Sequence, residues 1–153
     1  MDIKINKKEI IKIINSVIDK DLPLISNLAN ISRVLYEGFE NVSWAGFYLT
    51  LRDEQILYLG PYQGPLACTM IPFTKGVCGE AASSKKTILV DDVHKFKGHI
   101  ACSSLTNSEL VSPIIKDNKV LGVIDLDSNN LGNFTNDDAK LLEEIAIIIS
   151  NLF

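Results

Sequence analysis

Residues 62–127 of this 153-residue chain hold all three cysteines, both histidines and a pair of acids two apart, Asp125 and Asp127. Those residue types admit metal binding, thiol chemistry or plain packing. A zinc site would draw on Cys68, Cys78 and Cys102 with His94 or His99. There is no CxxC, and the spacings match no zinc finger or ribbon, so no metal is expected. Packing would use each thiol as a small buried hydrophobe. Cys78 fits that use, flanked by Val77 and Ala81, although its glycine-rich helix start also suits a lowered thiol pKa. Cys68 alternates with polar Thr69 on an expected strand, Leu66 to Ile71, and both uses stay open. Cys102 stands in a polar loop, His99-Ile100-Ala101-Cys102-Ser103-Ser104, with an imidazole three residues before it. A loop thiol beside an imidazole suits a nucleophile.

The acids raise a second question. Asp125 and Asp127 share one face of a strand that is otherwise apolar, Val120 to Asp127. A carboxylate inside an apolar strand is costly unless paired. Two like charges on one face call for a cation between them. No lysine or arginine is supplied nearby in sequence, and a ligand ammonium is one answer. Asp127 also suits a turn before Ser128-Asn129-Asn130. Glu109 either joins the pair or ends its strand in solvent. Trp44 and Tyr48 share a face, which fits core packing or a wall for an apolar or S-methyl group.

The elements that must position these groups follow from periodicity. Apolar residues recur at helical spacing over 7–20, and again from Pro23 to a stop at Gly38. Strands are expected over 41–49, with Val42, Trp44, Gly46 and Tyr48 on one face, and over 55–59, around the polar turn Arg52-Asp53-Glu54. Gly60-Pro61 and Gly64-Pro65 read as loop. After the strand that carries Cys68, Gly76 and Gly79 bracket a turn into a small helix, 80–84. A strand over 87–90 precedes a long loop, 91–107, of a length usually kept for function. Strands 109–115 and 120–127 form a hairpin through Lys116-Asp117-Asn118-Lys119. Thr135-Asn136-Asp137-Asp138 has a capping-box composition ahead of a last helix. The class is α+β, a largely antiparallel sheet of about six strands with N- and C-terminal helices packed on one side. Residues 1–153 form a single domain, with helices in 1–38 and the core over 41–152.

Composition narrows the function. The net charge is −4 and 46% of residues are hydrophobic, so the chain can bury a core and offers no basic patch for nucleic acid. The basic N-terminus (Lys4, Lys7, Lys8, Lys12) reads as a solvated helix face. Charges interrupt any leader-like segment, and no apolar run approaches a membrane span. A cytoplasmic protein is expected, where an odd cysteine count favours reactive thiols over a disulfide framework. No GxGxxG or P-loop supports a nucleotide site. The apolar N-terminal helices are candidates for a homodimer contact.

Over residues 30–152 the chain resembles the free methionine-(R)-sulfoxide reductases, single GAF domains that act as enzymes. The resemblance rests on Val42 to Tyr48, Gly60 to Gly64, Ala67-Cys68, Gly76 to Gly79, Val90 to His94, Gly98 to Cys102, Asn107 to Glu109 and Gly122 to Ser128. It implies reduction of the free R sulfoxide of methionine. Cys102 would attack the sulfoxide sulfur, release methionine and become a sulfenic acid. Cys68 is then the first choice to condense with it, with Cys78 as relay or substitute. No cofactor is bound; thioredoxin, thioredoxin reductase and NADPH would supply electrons. Trp44, Tyr48, Glu109, Asp125 and Asp127 would hold the substrate.

A magnitude sets what the site must supply. A thiol of pKa about 8.5 is only about 3% thiolate at pH 7, and a drop to about 6.5 gains roughly 25-fold. The accompanying loss of nucleophilicity takes back roughly tenfold. Protonating the sulfoxide oxygen as it leaves is the larger need. One of Glu109, Asp125 and Asp127 is therefore expected to have a raised pKa and donate that proton, while the others hold the substrate ammonium. Asp125→Asn should damage turnover far more than fold. The alternatives are a non-catalytic GAF sensor of a small ligand and a redox-switch or dimerisation module.

Overall fold

A computed structural model describes residues 5–51, 55–100 and 102–153. The expected turn Arg52-Asp53-Glu54, Lys4 of the basic terminus and Ala101 lie outside those residues. In chain order the elements are α1 (Ile10–Val17), α2 (Leu24–Gly38), β1 (Trp44–Leu49), β2 (Ile56–Gln63) and β3 (Met70–Pro72). Then come α3 (Gly76–Ser84), β4 (Ile88–Val90), β5 (Ser108–Lys116), β6 (Lys119–Ser128) and α4 (Asn136–Ser150). One six-stranded sheet runs β3-β2-β1-β6-β5-β4, with every neighbouring pair antiparallel. Among the described residues no helix is long and apolar enough to cross a membrane.

Strand alternation splits the interior in two. Ala45, Phe47, Leu110, Ile114, Ile124 and Leu126 point toward α1, α2 and α4. They pack on Ile10, Ile14, Leu28, Ile31, Leu35, Leu142, Ile145 and Ile149. Trp44, Tyr48, Val111 and Val123 point the other way, under α3, with Leu57, Ile71, Val77, Cys78 and Ala81. The N- and C-terminal helices thus share one side, as the periodicity implies, and the small helix takes the other.

Local chemistry fixes the element ends. At α4 the Thr135 hydroxyl accepts from the Asp138 N–H (3.1 Å), and the Asp138 carboxylate accepts from the Thr135 N–H (2.9 Å). This reciprocal pair is the capping box that the composition predicts. Asp117 and Asn118 both take positive φ (51° and 63°), so a two-residue turn joins β5 to β6. Such a turn matches the twist of its flanking strands, and short polar residues tolerate that backbone.

Several boundaries differ from the expectation. The first helix is shorter, a 3-10 turn at Lys7–Glu9 and then α1. β1 starts at Trp44, so Val42 precedes it and packs against the helix-side cluster, not beside Trp44. β2 runs through Gly60-Pro61. The register slips there: Tyr48 pairs with Leu59 but Gly46 pairs with Tyr62, leaving one extra residue on β2. A bulge of this kind admits proline within a strand, because the ladder is already interrupted. β3 begins only at Met70, so Cys68 lies in a loop and not on a strand. α3 begins at Gly76, which places Cys78 inside its first turn.

Candidate active site

The site is built on the three central strands. Trp44 of β1 lies across from Asp127 of β6, and Asp127 lies across from Glu109 of β5. One pair further along, Gly46 lies across from Asp125, and Asp125 across from Val111. Directly paired residues share a face, so Glu109, Asp125 and Asp127 converge under α3. Gly46 has a reason to be glycine. A Cβ there would lie 2.3 Å from Tyr62 Cβ and 2.8 Å from Pro61 O, inside the bulge of β2. That close approach brings Tyr62 over the sheet, where it stacks on Trp44 (centroids 5.1 Å apart, 17° between planes). Trp44 also stacks on Tyr48 at 5.7 Å, and its indole N–H donates to Pro65 O at 3.2 Å. The aromatic wall is therefore held at both ends.

Asp125 and Glu109 are buried, only 4% and 7% exposed, and Asp127 is half-buried. Burial pushes Glu109 well above the usual carboxylate range, and the charge of Asp125 beside it pushes further. Asp127 is raised for the same two reasons. Asp125 is raised less, to about 6. Burial lifts it, while hydrogen bonds from Glu109, Cys78 and Asp127 hold it down. Asp125 is thus the least raised of the three acids. Asp125 Oδ1 and Asp127 Oδ1 are nevertheless buried with no hydrogen-bond partner. An unpaired buried carboxylate oxygen is expensive, and a ligand cation would satisfy it. Among the described residues that line this pocket there is no lysine or arginine.

Cys78 Sγ lies 3.8 Å from Glu109 Oε1, and Cys78, Glu109 and Asp125 each offer an atom within 4.8 Å of the others. The expectation of a lowered thiol pKa fails here. Burial pushes the Cys78 thiol up, and the charges of Asp125 and Glu109 add to it. The first turn of a helix cannot offset removal from water into a nest of acids. Tyr48 moves in the same direction, from burial first and Asp125 second, and stays a neutral phenol.

Cys68 and Cys102 form a disulfide, with Cα atoms 5.5 Å apart, within the usual range for such bonds. Cys68 belongs to the β2–β3 loop and Cys102 to the loop between β4 and β5. The second loop is pinned by backbone hydrogen bonds from Val93 to Asn107 O and from Gly76, at the start of α3, to Gly98 O, both 3.0 Å. A zinc site that uses all three thiols is thus incompatible with this state. His99 lines the same pocket as Cys102. Burial and the neighbouring His94 lower its pKa, so its imidazole is neutral near pH 7. His94 is exposed and bonded to Asp92 at 2.9 Å, away from the pocket.

One pocket gathers Trp44, Tyr48, Cys78, Cys102, Glu109, Asp125 and Asp127, and Cys68 joins it through its bond to Cys102. Its interior is small, about 80 Å³, and its mouth opens to solvent. Sequence reasoning passed over Ser43, Thr106 and Asn129, which also line it. Ser43 and Asn129 border the strand ends that carry Trp44 and Asp127, which was the available signal. Thr106 gave none. Tyr62 was visible only as part of a motif.

A family model for the GAF domain matches residues 26–153. The chain is 41% identical to the free methionine-R-sulfoxide reductase of Escherichia coli, over 86% of this chain and 78% of that protein. It is 43% identical to the free methionine-R-sulfoxide reductase of Saccharomyces cerevisiae, over 95% and 87%. Among solved structures, the free methionine-R-sulfoxide reductase of Neisseria meningitidis, in complex with its substrate, superposes with a TM-score of 0.87 at 42% identity, covering 96% of this chain and 85% of that one. With the thiol pair, the buried acids and the aromatic wall in one pocket, these likenesses place the chain in the GAF domain family, among the free methionine-(R)-sulfoxide reductases.

Proposed function

We propose that this chain reduces free methionine-(R)-sulfoxide to methionine. One observation carries the reading: a disulfide-forming cysteine, Cys102, opens into the same pocket as the buried Glu109 and Asp125 and the half-buried Asp127. The Cys102 thiol attacks the sulfoxide sulfur. The oxygen takes a proton and passes to the cysteine, methionine leaves, and Cys102 becomes a sulfenic acid. The Cys68 thiol displaces water from it and forms the disulfide. A dithiol, thioredoxin in our reading, then reduces that disulfide and is itself oxidised, drawing electrons from NADPH through its reductase.

Glu109 is the proton donor in this scheme. Burial and the charge of Asp125 raise its carboxyl well above the usual range, and it lines the same pocket as Cys102. Asp125 and Asp127, each with a buried oxygen lacking a partner, take the substrate ammonium. A methionine inside a peptide has no ammonium to offer, which restricts the site to the free amino acid. The Trp44 and Tyr48 rings wall the S-methyl end, and Tyr62 stacks on Trp44 to hold it there. We place this activity in the cytoplasm, in methionine salvage after oxidation.

The test is NADPH consumption with thioredoxin, its reductase and each epimer of free methionine sulfoxide. Turnover is expected with the R epimer, not with the S epimer or with a peptide sulfoxide. A wild-type protein inert toward the R epimer would overturn the reading and return the chain to the ligand-sensing GAF domains.

A further inference from the structure

Cys78 stays a free thiol while Cys68 and Cys102 pair, yet it is not placed as inert filler. Its sulfur faces two carboxyl groups across a cavity that reaches solvent. We propose that Cys78, Glu109 and Asp125 form a binding site for a thiophilic divalent metal ion, zinc by ligand chemistry, on the floor of the pocket.

The geometry favours it. A tetrahedral zinc with a Zn–S bond of about 2.3 Å and a Zn–O bond of about 2.1 Å sets sulfur and oxygen about 3.6 Å apart. Cys78 Sγ and Glu109 Oε1 lie 3.8 Å apart, and one atom of Asp125 completes a triangle within 4.8 Å. Only small side-chain adjustments separate this arrangement from a ligand set. Asp125 is buried, with Oδ1 lacking any partner, so a ligand atom stands open. A water would fill the fourth position.

The three ligands sit on rigid elements. Cys78 is in the first turn of α3, while Glu109 and Asp125 are diagonal neighbours on β5 and β6. Preorganised ligands lose little freedom on binding, so a three-ligand set can still hold a metal. The sulfur selects against magnesium and calcium, which prefer oxygen ligands and larger coordination numbers. Cys68 and Cys102 take no part, so the site exists while they are paired. Given the reductase reading above, a metal here occupies the space of the substrate ammonium and blocks the pocket reversibly.

The disulfide form makes the test clean, because Cys78 is then the sole free thiol of the three cysteines. Cobalt(II) titrated into that form should bind one per chain and raise a near-ultraviolet thiolate-to-cobalt absorption band. Zinc should displace it and bleach the band; magnesium in excess should not. Cys78→Ser should remove the band. Asp125→Asn, which keeps the thiol, should weaken binding by about tenfold or more. No thiolate band in the wild type, a band that survives in Cys78→Ser, or wild-type affinity in Asp125→Asn would each overturn the site. The measurement reads the metal alone, so its failure leaves the reductase reading untouched, and an inert enzyme that binds cobalt this way leaves the metal site standing.

Discussion

The two faces of the sheet are built from the same strands and obey opposite rules. Under α1, α2 and α4, Phe47, Leu110, Ile124 and Leu126 pack in one hydrophobic cluster, and all are fully buried. Under α3, the alternate residues of those strands include Glu109, Asp125 and Asp127, with two carboxylate oxygens that lack partners. One face is finished without a ligand, and the other is not. The helix side therefore holds the strands in register. The α3 side leaves carboxyl oxygens unpaired, which in the proposed scheme the substrate ammonium satisfies, and a β-sheet can do both because its side chains alternate.

Experiments can break this division or sharpen it. Cys102→Ser should lower turnover by on the order of 10⁴-fold or more, since no other thiol can take the attacking position; single-turnover assays with the R epimer would read it. Glu109→Gln should lower kcat by roughly 10²–10⁴-fold while methionine sulfoxide still binds, because the amide cannot give up a proton. Equal loss in KM alone would move Glu109 from donor to binder. Phe47→Ala, on the helix side, should cost about 3–5 kcal/mol by denaturant titration. Its turnover per folded molecule should stay close to wild type.

A smaller effect links pH to the acid cluster. Folding raises the Asp125 pKa from 3.8 to about 6, so the folded ligand-free protein binds this proton more tightly than the unfolded chain. The resulting stability is fully present below about pH 4 and is lost as pH rises through 6. It amounts to on the order of 3 kcal/mol. Asp125→Asn should flatten that part of the profile and stabilise the protein at pH 8, while turnover collapses. A variant destabilised at pH 8 would place Asp125 among the structural groups. The smallest change, Thr135→Ala at the α4 cap, should cost about 1 kcal/mol and leave the α3 side unaffected.

What was legible in the residues follows the same division. Helices and strands of the finished face announce themselves through period, and Thr135 with Asp138 announces a cap. Alternation alone also put Asp125 and Asp127 on one face, and the cost of burying them pointed to a ligand cation. Periodicity cannot show how far apart in sequence two neighbours in space lie. The approach of α3 to β5 and β6, which raises the Cys78 pKa instead of lowering it, depends on such contacts. So do the continuation of β2 through Pro61, made possible by a bulge, and the pocket positions of Ser43, Thr106 and Asn129. The pairing of Cys68 with Cys102 came from family resemblance; the residues by themselves left the roles of Cys68 open.

The Cys68–Cys102 bond closes a loop of 34 residues that contains β3, α3 and β4. Closing a loop of that length restricts the unfolded chain by about 4 kcal/mol in the chain-entropy view. In the proposed cycle the bond forms and breaks once per turnover, so the molecule alternates between a tethered and an untethered polymer. Its resistance to unfolding then follows the supply of reductant. When reducing equivalents run short, the protein collects in the tethered form, the one that proteases and heat open least readily. A cell recovering from oxidation would find its stock of enzyme preserved in the waiting state.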